Sequence, residues 1–286
     1  MGIMTLTNGQ LEYNGYVLGD DIATFMTEVT GWDDLPPIVS GNVSRSFYPG
    51  SYPGDKRPSE RVVTWTGILN PLADWSTELK AVRAAFTPVD DEIALTIRTV
   101  DETLVAFGSV TARAIPGNRR YGAAGIGDLS IQFTCSDPRR YTETVNVTSV
   151  SFPSGASAGL DYPLVYPLDY GPLDETGSAT VVNHGDANCP AVYTIYGPVT
   201  NPRLQVGSSF VDFTITLLAG EYLDIDTKAG TVTLNGVASR LYTRSSLSSP
   251  IKNLELVPGP NTVSVTAEAY TEASYVKVTA RSGAYI

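Results

Sequence analysis

The sequence contains one histidine, His184, and that single imidazole limits the chemistry open to the chain. A Ser-His-Asp arrangement needs it as general base. It stands in Asn183-His184-Gly185-Asp186, with no nucleophile elbow of the G-x-S-x-G type nearby, so it reads as a polar loop residue. Glycoside hydrolysis would need two carboxylates flanking the scissile bond. The candidates are Asp20-Asp21, Asp33-Asp34, Asp90-Asp91 and Asp224 with Asp226. Neighbouring strand residues face opposite sides, so an Asp-Asp dipeptide is not itself a catalytic pair. Each reads as a turn or a solvated edge. Calcium needs clustered oxygen ligands, and Asp224-Ile225-Asp226 lacks the Gly-punctuated loop with a later Glu of an EF-hand. Gly122-Ala123-Ala124-Gly125 is glycine-rich but has neither the lysine nor the following helix of a phosphate loop. Cys135 and Cys189 have no metal spacing, and Cys135 is expected to be a buried thiol at the end of a strand. The expectation is a chain without catalytic, metal or cofactor-binding residues, and not an enzyme.

Aromatic residues offer a different chemistry. Tyr162, Tyr166 and Tyr170 recur between Asp161 and Gly171, interrupted by Pro163 and Pro167, so they do not form a helical face. They could stack sugar rings, which makes a carbohydrate-binding module the alternative reading, or pack at domain and subunit contacts, where tyrosine is enriched. The formal charge is -11, from 19 basic and 30 acidic residues, which argues against a sequence-independent grip on DNA. An acidic surface suits a wall past which DNA slides, or simple solubility. No stretch approaches the length of about 20 apolar residues needed to span a bilayer, and no signal peptide is expected.

The elements that would position these residues read as mainly β. Leu11 to Leu18 forms a hairpin around Asn14-Gly15. Arg61 to Leu69 is a strand with Val63, Trp65 and Leu69 on one face. Pro71 to Phe86 is the one prominent helix, its stripe being Leu72, Trp75, Leu79, Val82 and Phe86, stopped by Pro88. Glu92 to Arg98, Thr103 to Ala114 and Leu129 to Cys135 are further strands. Arg45–Glu60, rich in Gly, Pro and Tyr, reads as a long excursion that cannot be a central strand. Ile115–Asp128 reads as a flexible loop. The boundary is placed near residue 150, giving domains 1–150 and 151–286. The second is a helix-free run of strands at 179–182, 192–196, 210–217, 222–225, 231–234, 262–266 and 275–280, the pattern of a β-sandwich.

The order of segments carries a resemblance. Ser136-Asp137-Pro138-Arg139-Arg140-Tyr141 is followed by Leu160-Asp161-Tyr162-Pro163-Leu164 and Tyr166-Pro167-Leu168-Asp169-Tyr170-Gly171. Then come Val182-Asn183-His184-Gly185, Pro190 to Pro198, Asn201-Pro202-Arg203-Leu204, Ala219 to Thr227, Leu234-Asn235-Gly236 and Leu256 to Asn261. No one piece is specific, but the ordered set resembles siphophage distal tail proteins, most closely from residue 136 onward. The resemblance implies a structural virion protein at the tail tip, assembled in the host cytoplasm. Its first domain would build a hexameric ring joining the tail tube protein to the tail-tip hub, with DNA passing through. Its second domain would be a galectin-like β-sandwich. Within that frame, Arg45–Glu60 and Ile115–Asp128 are expected to be arms that touch neighbouring subunits, anchored by Tyr48 and Tyr52 in one and by Arg119, Arg120 and Tyr121 in the other.

Overall fold

Asn14 and Gly15 both have positive φ, 50° and 76°, and close a two-residue hairpin between β1 (Leu11–Tyr13) and β2 (Tyr16–Leu18). The computed structural model describes residues 6–20, 23–69, 75–100, 102–115, 127–153 and 177–286. The chain divides into two units, Met1–Glu143 with Tyr285–Ile286, and Thr144–Ala284.

The first unit continues with β3 (Thr24–Thr30), β4 (Ile38–Ser40), β5 (Val43–Ser44), β6 (Ser51–Tyr52), β7 (Lys56–Pro58) and β8 (Arg61–Leu69). Helix α1 (Trp75–Ala85) precedes β9 (Ile93–Arg98), β10 (Thr103–Ala114), β11 (Gly127–Cys135) and β12 (Arg140–Thr142). The main sheet runs β2-β1-β9-β10-β11-β8-β3, antiparallel throughout, with β12 against β10. Strands β8 and β11 alternate strictly between buried and half-buried residues, as their apolar spacing demands. Twelve-residue β10 pairs with β9 through Gly108 and with β11 from Ser109 onward, slipping register between Val110 and Ala112. The strand thus changes partner at Gly108. A Cβ there would lie 2.6 Å from the Cys135 Sγ, which fixes glycine at the crossing; Cys135 is a buried thiol outside any disulfide, as its strand position implied.

Helix α1 lies where the spacing placed it, although residues 70–74 fall outside the described residues. Leu79, Val82 and Phe86 are buried in the core, with Phe86 stacked 5.8 Å from Tyr13. Arg113 donates to the carbonyls of Arg83 and Phe86 and so satisfies the free end of the helix.

The second unit holds a six-stranded antiparallel sheet in the order Val145–Ser151, Tyr275–Arg281, Ala191–Tyr196, Tyr222–Asp226, Thr231–Leu234 and Ala238–Ser239. A four-stranded sheet orders Ser178–Asn183, Gly259–Thr266, Arg203–Val206 and Ser209–Asp212. Both sheets bury one face: Tyr193, Ile195, Leu223, Ile225, Val276 and Val278 from the first, Leu204, Val206, Val211, Val263 and Val265 from the second. That is the pattern of a β-sandwich.

Three readings of the sequence change. Phe210–Leu217 is two strands, Ser209–Asp212 and Thr216–Leu217, because the chain crosses from the four-stranded sheet to a small one built on Val199–Thr200. Burial still alternates through Val211, Phe213 and Leu217, so apolar spacing alone could not reveal the change of partner. The second unit is not helix-free, since Leu241–Thr243 and Ile251–Leu254 are 3₁₀ turns. Finally, Arg45–Glu60 is not irregular.

Candidate assembly surface

The stretch read as an excursion is a two-stranded arm that starts earlier, at Ile38. Strand β4 pairs with β7 (Ile38↔Pro58, Ser40↔Lys56), and beyond it β5 pairs with β6 (Val43↔Tyr52, Ser44↔Ser51). Between the two ladders Gly41 donates to the Asp55 carbonyl at 2.9 Å. There the backbones approach so closely that a Cβ on Gly54 would lie 2.1 Å from the Gly41 oxygen. An arm of two strands has no sheet on either flank, which is the setting in which prolines such as Pro49, Pro53 and Pro58 are tolerated. Nearly every residue of the four strands is exposed. Toward its tip the arm holds Phe47 93%, Tyr48 76% and Tyr52 61% exposed, with Arg45 over the Tyr52 ring at 5.0 Å. Isolated hairpins are marginal in water, and solvent-facing aromatics gain nothing there.

The arm is rooted in the segment Ser136–Tyr141 and in Arg61, the residue that follows it. Buried Arg61 reaches the carbonyls of Gly31, Trp32 and Asp34 from Nη1, at 2.7–2.8 Å, and that of Pro138 from Nε at 2.8 Å. Ser59 donates to the Pro37 carbonyl at 2.7 Å, closing the base of the hairpin. Arg140 pairs with Asp33 and lies over the Trp32 ring. Arg139 pairs with Asp137 at 2.9 Å, and the Tyr141 hydroxyl donates to the same carboxylate at 2.6 Å. Burial, and after it the Arg140 charge, hold Arg61 below the usual guanidinium value. For Asp137 burial acts upward, but the hydrogen bonds from Arg139 and Tyr141 outweigh it and leave the carboxyl below its ordinary range.

A depressed folded-state pKa contributes stability that is present above the unfolded value, about 4, and is lost as pH falls through the folded value. Asp137→Asn is therefore expected to shrink the drop in the urea midpoint between pH 7 and pH 3. An unchanged drop would show that acid sensitivity originates elsewhere.

The acidic candidates among the described residues sit in turns or pair with neighbouring groups, and Asp21 lies outside the described residues. Asp20 accepts from the Ala23 and Thr24 amides, Asp34 from Gly31, Asp226 from Lys228 and Ala229, and Asp224 from the Thr194 hydroxyl. Asp90 and Asp91 are exposed in a bend, and His184 is exposed on its loop. Among the described residues no group of three or more His, Cys, Asp or Glu is placed to hold a metal. Arg119, Arg120 and Tyr121 lie outside the described residues, as do Tyr162, Tyr166 and Tyr170. Another tyrosine set was not visible in sequence. Tyr222, Tyr196 and Tyr275 sit side by side across three strands, with ring centroids 5.8 and 4.6 Å apart. The Tyr196 ring thus lies between its two neighbours in a cross-strand ladder.

Residues 184–278 match the family model described as siphovirus-type tail component, C-terminal domain. The second unit carries a siphovirus-type tail component domain. The match runs from the His184 loop into the strand Tyr275–Arg281, and so contains both 3₁₀ turns and the tyrosine ladder. Beyond this domain the likeness is one of fold and spans nearly the whole chain. SPP1 Dit, described as a paradigm of the hub adsorption apparatus in phages infecting Gram-positive hosts, superposes with a TM-score of 0.66 at 14% identity, covering 97% of this chain and 99% of that one. Chains of the phage p2 baseplate in its activated conformation, with calcium and with strontium, give 0.50 and 0.51 at 9% and 10% identity; both cover 94% of this chain, and 97% and 96% of their own. No curated protein sequence is significantly similar to the chain.

Proposed function

We propose that this chain is a structural protein of the distal end of a siphovirus tail, present in the virion and assembled beforehand in the host cytoplasm. Copies form a hexameric ring that joins the tail tube protein to the tail-tip hub. The role is one of assembly and not of catalysis. The observation that carries this reading is the correspondence of fold with SPP1 Dit along 97% of the chain, with the tail-component domain at residues 184–278 inside it. The arm supports the ring in particular. A cyclic ring is built from heterologous contacts, in which one flank of a subunit meets a different flank of the next. A projecting hairpin with exposed aromatics, anchored at its root, is a suitable donor for such a contact.

Light scattering and negative-stain imaging of the full chain, alone and in isolated tails, test the proposal. Six-membered rings are the expected result. A protein that stays monomeric in solution and forms no ring in isolated tails would overturn it. The second arm has its own test. In a chain of net charge -11, Arg119 and Arg120 would meet acidic partner surfaces readily and steer assembly. Replacing both by Glu is expected to impair ring or tube joining with a nearly unchanged melt. Normal assembly of the double variant into infectious tails would make Ile115–Asp128 an ordinary surface loop.

A further inference from the structure

In a chain with an excess of acid, the stretch from Thr227 to Leu254 contains Lys228, Arg240, Arg244 and Lys252 and not one Asp or Glu. The fold gathers part of this stretch around an open groove of about 450 Å³ in the second unit, lined among others by Ala229, Gly230, Leu241, Arg244, Ile251 and Lys252. Lys252 lies across the hairpin turn: a Cβ on Gly230 would stand 3.2 Å from its Cε. Arg244 donates to the Ser249 carbonyl at 2.9 Å, and Arg240 donates to Ser239 and lies 6.0 Å from the centre of the Tyr242 ring. Among the described residues none of Arg240, Arg244 and Lys252 is paired with a carboxylate. Large apolar side chains stand exposed on the same stretch, Tyr242 at 77% and Leu247 at 83%, together with Val237.

We propose that this groove docks an acidic segment of a protein partner, one that carries aromatic or aliphatic side chains between its carboxylates. Charge complementarity sets the sign of the partner, since Arg240, Arg244 and Lys252 have no carboxylate partner among the described residues while the chain as a whole is acidic. The exposed Val237, Tyr242 and Leu247 set its class. A bare polyanion leaves such side chains in water, whereas a peptide covers them, and apolar exposure on the stretch that lines the groove favours a protein contact. Arginine further favours carboxylates through its planar pair of donors. The groove belongs to the second unit and the arm to the first, so the inference does not depend on ring formation.

The probe is a random copolymer of glutamate and tyrosine, titrated against the full chain by fluorescence anisotropy. Polyglutamate, polyphosphate and phosphatidylglycerol vesicles serve as comparisons. Tighter binding of the copolymer than of any of these is expected. Arg240→Glu with Lys252→Glu is expected to weaken it about tenfold or more without moving the melt. Arg244 is left in place because it bonds Ser249. Tyr242→Ser with Leu247→Ser is expected to abolish the preference for the copolymer over polyglutamate. Lys80→Glu, an exposed charge reversal in the first unit, is expected to change nothing. The proposal fails if the copolymer does not bind, if polyphosphate or vesicles bind as tightly, or if Lys80→Glu weakens binding as much as the groove variant does.

Discussion

Arg61→Met is expected to destabilise the first unit by about 3–5 kcal/mol, the range for leaving buried polar groups without their partner. Arg61 is 1% exposed, and its guanidinium is the common donor to four carbonyls, three from Gly31–Asp34 and one from Pro138. Methionine fills much of the volume but returns none of these bonds. Two terms oppose the loss. The variant spares the desolvation of a buried cation and relieves its repulsion with Arg140. Neither restores partners to four carbonyls whose positions are fixed by the backbone, so the loss wins. The measurement is simple because Trp32, Trp65 and Trp75 all lie in the first unit, and tryptophan fluorescence follows that unit alone during urea unfolding. Arg61→Lys is not expected to rescue it, since an ammonium lacks the planar fork that spans both segments. A midpoint shift worth less than about 1 kcal/mol would show that water satisfies the carbonyls and that Arg61 is no anchor.

What the residue pattern disclosed, and what it did not, follows from the range of the interactions involved. Strands β8 and β11 were legible because a half-buried face and a buried face alternate within nine residues. The Asn14-Gly15 hairpin was legible because its backbone demands positive φ at both positions. Strand β3 was not, since it lies at the edge of the main sheet and most of its residues face solvent, which leaves no apolar alternation to read. Its place is set by pairing with β8, a long-range fact. The arm was found by its prolines and tyrosines but not as a ladder, because β4–β7 and β5–β6 are too short and too exposed to carry a period. Arg61 shows the same limit. A charged residue before an apolar strand reads as a solvated end, and only the return of Pro138 and the Gly31–Asp34 loop makes it buried. The motif Asp137–Tyr141 was legible as a marker of order along the chain; its work at the arm root became visible only with Asp33 and Trp32 beside it.

The arm itself carries the other large effect. Phe47→Ser, Tyr48→Ser and Tyr52→Ser in one chain are expected to abolish ring assembly while leaving the first unit folded. The three side chains are mostly in water in the single subunit, so their loss removes little native packing, and surface changes of this kind shift stability by only about 0.5 kcal/mol. Even the stacking of Arg45 on Tyr52 is an exposed contact. In an interface the balance reverses. Burying an aromatic side chain of this size is worth roughly 2–3 kcal/mol, and aromatic anchors dominate the energy of such contacts. In the proposed ring, three of them at every junction would outweigh what a shallow contact could otherwise supply. Light scattering of the variant at concentrations where the parent forms rings is expected to give the monomer mass. The tryptophan-monitored urea midpoint is expected to stay with the parent, which separates a failure to assemble from a failure to fold. Rings of parental size from the triple variant would place the subunit contact away from the arm tip, and the exposed aromatics would then need another partner.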